Sequence, residues 1–143
     1  MKTRLLMVAF IVLIFSALSV SMQAETRDGV FIHISHGPDD PHRVLMALRM
    51  AEMMSEDKDV LVYFDIKAVE IVLKDAPDVQ FKDFPTAQAQ IKKLAGRKVT
   101  LMACPGCLGA AGKTAADLAP GIQIADKTKF FSFTKGRILS LDY

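Results

Sequence analysis

Asp59-Val60-Leu61-Val62-Tyr63-Phe64-Asp65 is the stretch that decides the fold. Its apolar residues run on without polar alternation, so a strand here is covered on both faces, as in a parallel sheet. The flanking residues agree. Upstream, Pro41 to Ser55 spaces Val44, Leu45, Leu48 and Ala51 three and four apart, which makes a helix with a wide buried face. Asp39 or Asp40 offers its N-cap, and Pro41 fits the first helical position. On a neighbouring stripe, Met46, Met50, Met53 and Met54 read as core packing rather than soft-metal ligands, because their spacing is that of the helix. Before it, Val30-Phe31-Ile32-His33-Ile34-Ser35-His36 reads as a strand that stops at the turn Gly37-Pro38.

Downstream, Ile66 to Lys74 spaces Val69, Val72 and Leu73 as a short helix, and Pro77 to Pro85 is a loop or edge segment. Thr86 caps a helix to Ala95 that Gly96 stops. Lys98-Val99-Thr100-Leu101-Met102-Ala103 is a third strand, followed by Leu108 to Leu118, whose alanines suggest a closely packed, broken helix. Ile122-Gln123-Ile124, a helical turn from Thr128 to Phe133, and a strand from Arg137 to Leu141 complete the order. Alternation of this kind predicts an α/β fold in three layers: a mostly parallel five-stranded sheet with helices on both faces. Ligands on such sheets bind beyond the carboxyl ends of the strands.

That edge carries the only two cysteines, in Cys104-Pro105-Gly106-Cys107. A cysteine between a strand and a helix meets backbone N–H groups and a helix dipole that favour a thiolate. The spacing puts the second thiol one turn away, within reach of a disulfide, and Pro105 loses nothing by lacking an N–H there. Three readings follow: a reactive thiol that carries sulfur as a persulfide or cycles with a disulfide, a metal site completed by histidine, and an inert disulfide. His36 ends the first strand at the same edge, where it could lower the thiol's pKa or join a metal shell. His33, mid-strand, reads as a packed, hydrogen-bonded core residue, and His42, in a first helical turn, as exposed. Asp65, Asp117 and Asp126 read as caps or turn residues, and no acid–base pair stands out. Gly112-Lys113-Thr114 ends like a phosphate-binding loop, but the glycine required five residues earlier is Cys107. No bound cofactor is expected.

Residues 1–24 read as a signal peptide. Lys2 and Arg4 precede an apolar run from Leu5 to Val20, and small residues lead to a cleavage site after Ala24. The expected product, residues 25–143, is a single domain in the periplasm, with no stable membrane insertion after cleavage. Lys2 and Arg4 are two of the 18 Lys and Arg, so the remainder equals the 16 Asp and Glu. A neutral chain gives no support for a nucleic-acid partner.

Taken in order, the opening Ile32-His33-Ile34-Ser35-His36-Gly37-Pro38 turn, the Ala47 to Met54 helix, the Val60 to Asp65 strand and Val99-Thr100-Leu101-Met102-Ala103-Cys104 resemble the DsrE/DsrF-like superfamily. Gly112 and Leu118-Ala119-Pro120-Gly121-Ile122 continue the likeness. The resemblance implies a sulfur-relay protein that holds sulfur as a persulfide on the cysteine matching Cys104. It also implies a homo-oligomer, trimer or hexamer. Cys107 and the export signal set the chain apart from cytoplasmic relay subunits and point away from tRNA thiolation. They point instead to an exported sulfur-carrier or thiol-redox protein, with Cys104 as nucleophile, Cys107 as resolving thiol and His36 as modulator. Its partner is then a sulfur-donor or thiol-redox protein. The alternative is a non-catalytic metal-binding or oligomeric interaction module, with Cys104, Cys107 and His36 as ligands.

Overall fold

The computed structural model describes residues 26–143; the signal peptide expected at residues 1–24 lies outside them. Five strands form one sheet: β1 (Gly29–Ile34), β2 (Asp59–Phe64), β3 (Thr100–Ala103), β4 (Ile122–Ile124) and β5 (Ile138–Asp142). Their order is β4-β3-β2-β1-β5, and every pairing is parallel. Four helices connect them: α1 (Pro41–Met54), α2 (Ala87–Gly96), α3 (Pro105–Ala110) and α4 (Lys127–Ser132). The Ile66–Val72 segment, expected to be a short helix, is 3-10 in form.

The order of the strands decides which face each helix covers. From β1 to β4 every crossover steps one strand in the same direction, so right-handed connections put their helices on one face. Val30, Ile32, Ile34, Val60, Val62, Phe64, Leu101 and Ala103 line that face, with Leu45, Leu48, Ile91, Leu94 and Leu108 packed over them. The connection from β4 to β5 returns across the sheet, which places α4 on the opposite face. Phe130 of α4 accordingly meets Phe31 and Tyr63, with ring centroids 5.8 and 5.1 Å apart. One six-residue helix covers little of a five-stranded sheet, so the second face stays partly open.

Sequence patterning placed α1 and its cap: Asp40 accepts a hydrogen bond from Arg43 N–H at 3.1 Å. The methionine stripe is a correction. Met46 and Met53 are exposed, and Met50 and Met54 are only partly buried at the edge of the core. The central face of α1 is already filled by Val44, Leu45, Leu48 and Ala51, and the neighbouring stripe turns outward by about 100° per residue. Gly96 does not end α2 in a left-handed turn either. The helix runs through Gly96, and Lys98 takes the left-handed conformation at φ 61°. That turn uses up Lys98 and Val99, so β3 starts at Thr100.

No helix among the described residues is long and apolar enough to cross a membrane.

Candidate functional site

Cys104 follows β3 and caps α3. Its N–H donates to Phe64 O at 2.9 Å, which ties the loop to the end of β2, and its carbonyl accepts from Leu108 N–H at 3.0 Å. Its Sγ accepts the Cys107 N–H at 3.4 Å. α3 has only six residues, so these direct hydrogen bonds, rather than a long helix dipole, act on the sulfur. Gly112, at φ 67°, turns the chain away after the helix.

Cys107 is held from the other side. The Ile66 N–H donates to its Sγ at 3.1 Å. Ile66 has φ 48° and is 62% exposed, an uncommon conformation for a β-branched residue with no burial in return. That backbone turn aims the amide at the thiol, and such strain concentrates at functional sites.

The two thiols are driven apart electrostatically. Burial pushes Cys104 up, but hydrogen bonds from the Tyr63 hydroxyl, the Cys107 N–H, the Cys107 thiol and the Gly106 N–H outweigh it, so Cys104 ionises below the ordinary thiol range. Burial also pushes Cys107 up; the Ile66 N–H opposes this, but the charges of Cys104 and Asp65 add to the rise. Tyr63 is raised too, by burial and by its bond to Cys104, so it keeps its proton and remains a donor. The pair is therefore asymmetric: Cys104 gives up its proton, and becomes nucleophilic, at lower pH than Cys107.

A groove of about 590 Å³ leads to Cys104 over the open face of the sheet. Phe31, Tyr63, Phe130 and Ile138 give it an apolar lining, and Lys127 is the one charged residue among those that line it.

Beneath the loop lies a polar cluster that the sequence reading missed. Parallel register sets His33 of β1 beside Tyr63 of β2 and Asp142 of β5. The His33 ring stacks on Tyr63 with centroids 5.8 Å apart. Its Nδ1 lies 2.8 Å from Asp142 Oδ1, and its Nε2 lies 2.9 Å from Asp65 Oδ1, close but poorly aligned for a hydrogen bond. Burial pushes His33 down, but the close approach of the two carboxylates and their charges raise it overall. His33 is thus half-buried and doubly partnered rather than packed in the core. Asp65 precedes the Ile66–Val72 turn but makes no side-chain cap bond, unlike Asp117 and Asp126, which do cap. The only sequence signal for the cluster was a polar residue inside β1 with the same outward parity as Phe31.

His36 is placed differently from Cys104. Its Nδ1 lies 3.2 Å from Ser35 Oγ, and β2 separates the exits of β1 and β3 in the sheet. The side chain that lowers Cys104 most is Tyr63, from the strand between them. Among the described residues no three His, Cys, Asp or Glu are grouped as a metal site. His42 is exposed as expected and stacks on Phe81 at 4.5 Å.

The model of the DsrE/DsrF-like family matches residues 28–135, which include every strand but β5 together with the whole cysteine loop. No curated protein matches the chain in sequence. Among the solved structures that share its fold are two small proteins. The YchN protein of E. coli is 16% identical, with a TM-score of 0.56, and the match covers 80% of this chain and 99% of that one. MTH1491 of Methanobacterium thermoautotrophicum, a protein of unknown function, is 14% identical with a TM-score of 0.54, over 80% of this chain and 99% of that one.

Proposed function

The chain belongs to the DsrE/DsrF-like family, and from that premise we propose that it is an exported sulfur-carrier or thiol-redox protein working through Cys104 and Cys107. The family brings a sulfur-relay-like function in general terms. The observation that carries the finer reading is the asymmetry of the two thiols: Cys104 ionises early under the Tyr63 hydroxyl, while Cys107 is held protonated one turn away.

In the first step the Cys104 thiolate attacks the outer sulfur of a donor persulfide, R–S–SH. A Cys104 persulfide forms and RS⁻ leaves. In the second, Cys107 loses its proton and attacks Cys104 Sγ; hydrosulfide departs, and a Cys104–Cys107 disulfide remains. Both cysteines are oxidised and the carried sulfur is reduced. A dithiol partner then reduces the disulfide and resets the pair. The same geometry passes the outer sulfur to an acceptor thiol when one arrives before Cys107 reacts.

The periplasmic location rests on residues 1–24 and their export pattern. A homo-oligomer is supported by exposed apolar residues on the open face and its edge, Phe131 at 78%, Leu139 at 53% and Ile138 at 50%.

The test is sulfide release from a low-molecular-weight persulfide. The wild type releases one equivalent and then stops until a dithiol is added. Cys104→Ser releases none, and Cys107→Ser accepts sulfur but does not release it. Full release from Cys104→Ser would end the proposal.

A further inference from the structure

The resolving step needs a proton acceptor. Cys107 must give up a proton, yet its surroundings hold that proton on, and Tyr63 is occupied as a donor to Cys104. The carboxylate next along the chain from the Ile66 amide that holds Cys107 Sγ is Asp65. Its Oδ1 is buried and faces only His33 Nε2 among the described residues. The imidazole in turn has Asp142 at its other nitrogen. Exposure of the side chains rises along this line, from 19% at Asp65 to 27% at His33 and 72% at Asp142.

We propose that Asp65, His33 and Asp142 form a proton relay that serves the resolving thiol, running from beside Cys107 through the imidazole to solvent. Asp65 accepts the Cys107 proton as the Cys107 sulfur attacks Cys104. His33 takes the proton at Nε2 and gives up the one at Nδ1, which Asp142 delivers to water. The return path supplies a proton when the disulfide is reduced. The arrangement fits a relay better than a structural salt bridge, because the buried Asp65 Oδ1 lies 2.9 Å from His33 Nε2 without a settled hydrogen bond, so a small adjustment brings the two into proton exchange. The groups facing the imidazole are Asp65 after β2, Asp142 on β5 and Tyr63 on β2. His33 acts through Asp65 and is a positioning residue in this scheme.

The inference rests on Cys107 as the resolving thiol, but it can be tested without any persulfide. An aromatic disulfide, dithiobis(nitrobenzoate), reacts with Cys104 and releases one coloured thionitrobenzoate. Attack by Cys107 on the resulting mixed disulfide releases the second. The first phase reports Cys104, and its persistence in a variant shows that the loop is intact. The second phase reports the proton-dependent step alone.

In Asp65→Asn the second phase is expected to slow about 100-fold at neutral pH, the scale of a lost general base, and to recover about tenfold per pH unit as hydroxide replaces it. The wild-type second phase is expected to show an inflection above the ordinary imidazole range, where the carboxylates hold the His33 proton, and His33→Gln is expected to remove it. Asp142→Asn is expected to slow the phase less than Asp65→Asn. A second phase in Asp65→Asn that is unchanged or faster would overturn the relay, since Asp65 would then be acting only by its charge. A wild-type second phase without the inflection would overturn it too. Failure to load a persulfide would count against the proposed function and leave this result standing.

Discussion

Replacing Tyr63 by Phe removes one hydroxyl and leaves the ring against Phe31 and Phe130. The ring contacts survive, so the change falls on the Cys104 sulfur. A hydrogen bond to a charged group contributes about 1.5–3 kcal/mol. Because one pKa unit corresponds to about 1.4 kcal/mol between the two protonation states, losing the bond raises Cys104 by about 1–2 units. Cys104 is half-buried, and water partly replaces the donor, so the lower end applies: about one unit. The sign follows from the acceptor. Tyr63 stabilises the thiolate, so the variant ionises later, and well below its midpoint Cys104 alkylates about tenfold more slowly. The assay is the iodoacetamide rate against pH in a Cys107→Ser background, where one thiol is titrated without its neighbour. An unmoved midpoint would refute the assignment of Tyr63 as the group that activates Cys104.

Three further outcomes follow from named contacts. His33 is raised in the folded protein, so its contribution to stability is complete below about pH 6.5 and is lost as pH climbs through the raised folded value; thermal melting of wild type against His33→Gln should diverge at low pH and converge at high pH. Gly37 is buried, and a Cβ there would sit 2.5 Å from Lys67 O, a backbone atom, so Gly37→Ala should cost about 1–3 kcal/mol in urea unfolding. Glu52, buried on α1, takes Arg49, Lys93 and the more distant Arg97 as partners and so joins α1 to α2; its loss should cost about 1–2 kcal/mol, since those cations reach water once released.

The strands were legible where burial dictates composition. β2 is apolar because helices lie on one face and aromatic residues on the other, and that run alone pointed to a parallel sheet. Boundaries were less legible where a residue does what its type seldom does. Gly96 was the obvious stop for α2, but Lys98 makes the left-handed turn. The cysteine loop was legible because a strand and a helix position it locally. The cluster beneath it was not, because His33 and Asp142 lie 109 residues apart and meet only through the register of β1 with β5. A single sequence gives no register between distant parallel strands. Tyr63 was hidden for a related reason: inside an apolar run its ring looks like core, and only the end of β3 beside it shows where its hydroxyl goes.

The central claim is that Cys104 carries sulfur and Cys107 removes it. Its most direct test is the intact mass of Cys107→Ser after exposure to a low-molecular-weight persulfide, followed by peptide mapping. The account predicts a gain of one sulfur atom, carried on the peptide that contains Cys104 and removed by a dithiol. An unmodified mass, with Cys104 still open to alkylation, would contradict it.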